Sequence, residues 1–336
     1  MRVLVTGGAG FLGSKLVRAL LERDRLCGQK IEEICLTDRV SCADPMICDD
    51  SRVRRHTGDL LSSLPDLFSI PFDAVFHLSS AVSAECEADF SLGLQANLQT
   101  TQGLLETVRR QQEMTGVCAR LFFASSVAVF GSDAGIRMPV VIRDDTLPVP
   151  QSSYGVHKFI CEQLIADYTR KGYIQGRVAR LMTVSVRPGR PNGAASGFLS
   201  GIIREPLSGL PAVCPVDPST MVALASPDNT MTGILKVMEL PDARMPGRTA
   251  INLPALTVSV GQMIQSLADV AGTQVMSRIR YQPDPAIERL VGSWPACFDC
   301  QRTKQLGLVP DPSFDDVIRQ YIASQASGKT KSISLP

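Results

Sequence analysis

Through its first half the chain alternates short apolar runs with longer stretches in which apolar residues recur at helical spacing. Short runs read as buried strands and amphipathic stretches as helices, and their alternation is the signature of βα units around a parallel sheet. The runs Arg2–Thr6, Ile31–Thr37, Asp73–Leu78, Arg120–Ser125 and Arg177–Val186 are the predicted strands. A helix is predicted over Ser14–Glu22, and another from Tyr154 through Phe159, Ile160, Leu164 and Ile165. From Pro188 the texture changes: Pro and Gly crowd Pro188–Gly193 and again Pro206–Pro218, which predicts a loop-rich lobe, not sheet core. The expected class is α/β, a doubly wound parallel sheet with a smaller C-terminal lobe. The expected divisions are residues 1–187 for the sheet domain, 188–323 mainly for the lobe, and 324–336 for a frayed tail poor in apolar residues. A stretch near 220–250 is a candidate to return to the first domain.

Composition narrows the class. The 336 residues are 44% hydrophobic and 20% charged, as expected of a soluble folded protein, and the net charge of +1 leaves no electrostatic footprint for nucleic acid. No apolar run approaches the roughly 18 residues of a membrane span. The opening Val3-Leu4-Val5 runs at once into glycines instead of a signal-peptide core, so a cytoplasmic location is expected. The 10 cysteines, without a secretory signal, point to reduced thiols. Cys297-Phe298-Asp299-Cys300 is the single CxxC, and His56, His77 and His157 add no ligand spacing, so no metal is expected.

The candidate chemistry falls at strand ends. Gly7-Gly8-Ala9-Gly10-Phe11-Leu12-Gly13 follows the first strand and opens the first helix, where free backbone N–H groups and the helix dipole suit a pyrophosphate. The spacing Gly7, Gly10, Gly13 departs by one residue from GxGxxG, and an ordinary βα turn is the alternative. Asp38 ends the second strand where a carboxylate meets ribose hydroxyls, and its charge disfavours a 2′-phosphate, although Arg39 beside it could serve one. Tyr154 and Lys158 lie four apart on one helix face, and an ammonium beside a phenol favours the phenolate. Ser125 and Ser126 close the fourth predicted strand, where a hydroxyl can orient a reacting oxygen.

Together these residues resemble the extended branch of the short-chain dehydrogenase/reductase superfamily, which includes nucleotide-sugar epimerases and dehydratases. The resemblance spans nearly the whole chain and rests on Thr6–Gly13, Gly58-Asp59-Leu60, His77-Leu78-Ser79-Ser80, Asn97, Ser125-Ser126 through Gly131, Tyr154–Lys158 and Arg187-Pro188-Gly189, with Phe130 where a tyrosine is usual. It implies a Rossmann domain with bound NAD and a C-terminal substrate-binding lobe. The implied cofactor residues are Gly7, Gly10, Phe11, Leu12, Gly13, Asp38, Asp59 at the adenine, Leu60, Leu78, Ser79, Ser80, Asn97, Tyr154, Lys158 and Pro188, and the implied catalytic set is Ser126, Tyr154 and Lys158.

Within the family, Ala81–Phe90 and Val186–Ser196 resemble dehydrogenases that oxidise C2 of a four-carbon sugar acid. That likeness makes Ser83, Ser126, Tyr154, Arg190, Asn192 and Ser196 the candidate substrate residues, with the Arg190 guanidinium suited to a carboxylate and Arg187 expected to support the fold. The alternatives are a nucleotide-sugar epimerase or dehydratase, for which Pro211–Asn229 looks short and lacks an evident basic set, and a non-catalytic NAD-binding regulator. The expected partner is a small sugar acid, with neither nucleic acid nor membrane, and a homodimer is compatible with the sequence.

Overall fold

Three consecutive apolar residues in each of the first strands, Val3-Leu4-Val5, Ile34-Cys35-Leu36 and Val75-Phe76 after Ala74, are almost wholly buried. A strand buried on both faces cannot alternate polar and apolar residues, and this pattern belongs to a parallel sheet covered by helices on each side. The computed structural model, which describes residues 1–189 and 196–330, contains that sheet. By contacts the chain divides into two units, one of Met1–Val129, Pro148–Leu181 and Met231–Leu253, the other of Phe130–Leu147, Met182–Thr230 and the chain from Pro254. The segment 130–147 therefore lies apart from the domain that a single cut at 187 assigns it to.

In the first unit the strands are β1 (Arg2–Thr6), β2 (Glu33–Asp38), β3 (Val53–Thr57), β4 (Ala74–His77), β5 (Arg120–Ser126), β6 (Gln175–Leu181) and β7 (Ile251–Asn252). They form one parallel sheet in the order β7-β6-β5-β4-β1-β2-β3. The direction of winding reverses between β1 and β4, which opens a crevice at their carboxyl ends, the place where doubly wound sheets take ligands. Helix α1 (Phe11–Arg23) follows β1. Helices α2 (Leu60–Leu67), α3 (Ser83–Ala88), α4 (Thr100–Thr115) and α5 (Ser153–Arg170) follow in chain order. Leu60, Leu64, Leu104, Leu105, Val108, Cys161 and Ile165 from α2, α4 and α5 join Leu4, Val75, Leu121 and Phe123 of the sheet in one core.

Three elements differ from the sequence expectation. Strand β3 reads Val-Arg-Arg-His-Thr and is mostly exposed, because it is the edge of the sheet and needs no apolar run. The expected single strand Arg177–Val186 is two: β6 ends at Leu181, and Thr183–Val184 pairs with Leu224–Ala225 in a separate sheet. The last helix, Phe314–Thr330, runs past the point where the tail was expected to begin, and residues 331–336 lie outside the described residues.

The second unit is more regular than its Pro/Gly content suggests. It holds a three-stranded sheet of Thr183–Val184, Met221–Ala225 and Leu256–Ser259, with helices Gly197–Leu207, Val260–Ala271 and Phe314–Thr330. Pro206 sits one residue before the end of its helix and so does not interrupt it. Leu199, Ile202, Val222, Met263, Leu267 and Ile318 form a core of its own.

Helix α1 comes so close to the turn before it that only glycine fits at position 13: a Cβ there would lie 2.0 Å from the Gly7 carbonyl oxygen and 2.7 Å from Gly8 Cα. Both obstacles are backbone, so the helix would have to move. Gly13→Ala is expected to lower stability by about 1–3 kcal/mol, the usual cost of overpacking. Urea unfolding measures it, as a lower midpoint at constant slope. An unchanged midpoint would show that the turn yields freely.

Candidate functional site

The first part of the site is the crevice at β1 and β4. Gly7 has φ +69°, and a Cβ on it would stand 2.7 Å from the Ser79 backbone nitrogen, so glycine is what lets the ends of the two strands approach. Gly10 caps α1 without a side-chain hydrogen bond to its first turn, which leaves that turn open to a ligand. Asp38, at the end of β2, accepts the Ala9 N–H at 3.0 Å and the Val40 N–H at 3.3 Å. Its carboxylate thus lies over the glycine turn, placed to meet a ribose. Turn, open helix start and carboxylate together fit a dinucleotide.

Beneath the crevice runs a buried chain of hydrogen bonds. His77 is 1% exposed, its Nδ1 2.7 Å from Thr6 Oγ1 and its Nε2 2.9 Å from Thr101 Oγ1. The Thr101 hydroxyl donates to the Asn97 carbonyl at 2.5 Å, so it accepts from Nε2–H, and Nδ1 accepts from Thr6. Burial, followed by the charge of Lys158, holds the imidazole down to about 3, so it stays neutral. Thr6 in turn accepts from the N–H and hydroxyl of Ser79, which fixes the Leu78–Ser80 loop at the crevice rim. Nothing in the residue pattern announces this relay, although Thr6 and His77 end paired strands at matched register.

Two residues expected at the cofactor also have structural work. Asp59 caps α2 by accepting the Ser62 N–H at 3.0 Å. Asn97, in a π-helical turn, is buried and accepts from the Ala81 N–H at 2.7 Å and the Ser80 hydroxyl at 3.0 Å, while its amide donates to Ala81 O. It shapes the Ser80–Ala81 loop. Phe11 and Leu12 begin α1, Leu60 begins α2 and is buried in the core, and Ser83 begins α3.

The second part is carried by α5 and the end of β5. Ser152 caps α5 by accepting the Gly155 N–H, and Glu87 of α3 accepts the Ser153 N–H at 2.7 Å. A Cβ at Gly155 would lie 2.2 Å from the Ala128 carbonyl, so the first turn of α5 rests directly on the turn that follows Ser126. Ser126 accepts the Ala128 N–H at 3.1 Å through its hydroxyl oxygen. Lys158 is buried, donates to the Ala124 carbonyl at 2.8 Å, and stands 4.7 Å from the Phe123 ring centroid and 5.5 Å from that of Tyr154. Burial lowers its ammonium to about 8, against smaller opposing effects of Cys161, Cys86 and Glu162. A cation this close to a phenol lowers the cost of its phenolate. The arrangement can move a proton at a hydroxyl.

In the second unit Arg187 donates to the Ser196 hydroxyl at 2.9 Å, and its backbone N–H donates to Ser200. Pro188 is exposed, and Arg190 and Asn192 lie outside the described residues. Among the described residues no cluster of metal-ligating side chains occurs, the ten cysteines are free thiols, and no helix is long and apolar enough to cross a membrane.

A model of the NAD dependent epimerase/dehydratase family matches residues 3–252. The chain is 46% identical to a D-erythronate dehydrogenase of Cupriavidus necator over 98% of its own length and 100% of that protein's. It is 38% identical to a D-erythronate dehydrogenase of Haemophilus influenzae, covering 96% of this chain and 99% of the relative. Among solved structures, a nucleoside-diphosphate-sugar epimerase from Agrobacterium tumefaciens superposes with a TM-score of 0.90 at 34% identity, over 98% of this chain and 95% of that one.

The buried ammonium makes stability pH-dependent with a definite sign. Lys158 titrates at about 8 when folded and near the ordinary 10.5 when unfolded. Below about 8 both states hold the proton and the penalty is constant. Between the two values the unfolded state binds more protons, so the contribution of this group to stability rises with pH. Wild type is therefore expected to gain stability relative to Lys158→Met across that window, with a level difference below it. Urea melts of both proteins at about pH 7, 8.5 and 10 measure this. A difference that stays level up to about pH 10 would mean that the ammonium keeps its ordinary titration.

Proposed function

The chain belongs to the NAD dependent epimerase/dehydratase family, and we propose that within it this protein oxidises the C2 hydroxyl of a small sugar acid, D-erythronate, to the 2-oxo acid. The observation that carries the reading is the buried Lys158 ammonium beside the Tyr154 ring, held at the carboxyl end of β5. Full-length similarity to two D-erythronate dehydrogenases supplies the substrate.

Oxidation of a secondary alcohol removes a proton from oxygen and a hydride from carbon. Bound NAD supplies the hydride acceptor. Tyr154 takes the hydroxyl proton as phenolate, and Lys158 makes that phenolate accessible near neutral pH. The Ser126 hydroxyl hydrogen-bonds the substrate oxygen and holds it toward Tyr154. Gly7, Gly10 and Gly13 with the start of α1 would receive the pyrophosphate, Asp38 would receive the ribose and repel a 2′-phosphate, and Leu78–Ser80 would line the remainder. The likeness in sequence to sugar-acid dehydrogenases is what assigns Ser83, Asn192 and Ser196 to the polyol and Arg190 to the carboxylate. The enzyme works in the cytoplasm, where NAD is available.

An NAD-reduction screen over four- to six-carbon aldonates and uronates tests the reading. D-erythronate is expected to give the highest kcat/KM. Absence of NADH formation with every acid, together with conversion of a nucleotide sugar by tightly held NAD, would replace this reading with that of an epimerase.

Tyr154→Phe is expected to keep its affinity for NAD and lose about 10²–10⁴ in kcat, the range for a general acid/base. Titration of NAD against each protein and steady-state kinetics separate the two effects, and near-wild-type turnover would mean that the proton leaves by another route. Arg190→Ala is expected to raise KM for the acid by about 10- to 150-fold, the equivalent of about 1.5–3 kcal/mol for a lost charge-assisted hydrogen bond, with NAD affinity unchanged. An unchanged KM would take Arg190 out of the pocket.

A further inference from the structure

One helical turn beyond Lys158 stands Glu162, buried and unused by the mechanism above. Its carboxylate accepts three hydrogen bonds: from the Ser125 hydroxyl at 2.5 Å and Arg180 Nε at 2.9 Å on Oε1, and from Arg180 Nη2 at 2.7 Å on Oε2. Arg180 Nη1 lies 3.5 Å from Asn252 Oδ1. The four residues come from α5, β5, β6 and β7. A buried ion pair is a weak source of stability, since desolvation offsets most of its attraction and apolar replacements are often neutral or better. Its location supplies a different reason for it.

Strand β5 ends Ala124-Ser125-Ser126. Lys158 holds the Ala124 carbonyl and Glu162 holds the Ser125 hydroxyl, so α5 grips two consecutive residues of the strand. Residues four apart on a helix share a face, which puts Tyr154, Lys158 and Glu162 in one line along α5. The next residue of the strand after this grip is Ser126, with its hydroxyl oxygen taking the Ala128 N–H. The Arg180 fork fixes the plane of the carboxylate, so that Oε1 faces Ser125.

We infer that Glu162, with Arg180 behind it and Ser125 in front, is a positioning residue that holds Ser126 and Lys158 in register with Tyr154. The inference rests on the proposed oxidation, in which those three residues carry the chemistry. Small misplacements of such groups are costly in rate, and far more so than in binding, which is spread over many other contacts.

Glu162→Gln would leave the Arg180 charge buried without its counter-charge and is liable to misfold, so the decisive variant is Ser125→Ala, which keeps the ion pair and removes only the link to β5. Its kcat with D-erythronate is expected to fall about tenfold, with KM for NAD and for the acid each within about twofold of wild type. Deuterium exchange at the Ala128 amide, measured without substrate, is expected to speed up as the Ser126 hydroxyl loosens. A kcat within about twofold of wild type overturns the inference whatever the exchange shows, because the link is then structural only. If wild type itself reduces no NAD with any sugar acid, the proposed function falls, and exchange alone decides the register: faster exchange at Ala128 supports it and unchanged exchange overturns it.

Discussion

A lysine ammonium removed from water is costly, and the Rossmann unit is arranged to tolerate one at Lys158. No carboxylate touches it directly among the hydrogen bonds described above; it has the Ala124 carbonyl, the faces of Phe123 and Tyr154, and the field of Glu162 one turn away. A second cation nearby without a carboxylate of its own would add to that cost. His77 is kept neutral by burial and by the charge of Lys158, and its neutrality is what allows the Thr6–His77–Thr101 relay to run in one direction beneath the crevice. The same charge thus stands beside the Tyr154 ring on one side and, after burial, adds to what keeps the imidazole neutral on the other.

How far the sequence revealed this depends on burial. Strands β1, β2, β4 and β5 were legible because each is sealed on both faces and so written as an unbroken apolar run. Strand β3 was not, because an edge strand with two arginines and a histidine has no periodic signal, and β7, two residues long, is too short to carry one. The join at Met182 was hidden for a different reason: strand-like residues run on through it from Leu181 to Val184, and periodicity cannot show that the chain has changed sheets.

The site was legible as a set of residues more than as a set of jobs. Gly7, Gly13, Asp38, Tyr154 and Lys158 fall at or near strand ends and helix starts, positions that the fold fixes. Asp59 and Asn97 are engaged by backbone groups, a helix cap and a loop, work that a sequence motif cannot separate from ligand contacts. Glu162 lies eight residues from Tyr154 on the same face, yet a lone acidic residue in a helix ordinarily reads as solvated. Only the arrival of Ser125 and Arg180 from neighbouring strands gives it meaning.

The way the first unit is assembled from three separated stretches of chain bears on its birth at the ribosome. Strand β7 pairs Ile251 and Asn252 with Ala179 and Arg180, some seventy residues earlier in synthesis. At about 5–20 residues per second, β6 waits several seconds as an open edge before its last neighbour emerges. During that interval the nascent sheet presents unpaired backbone groups beside an apolar core, the kind of surface that recruits chaperones or a second nascent chain. Truncation after Arg187 would make the interval permanent. A fragment that keeps the whole sheet therefore extends through Leu253.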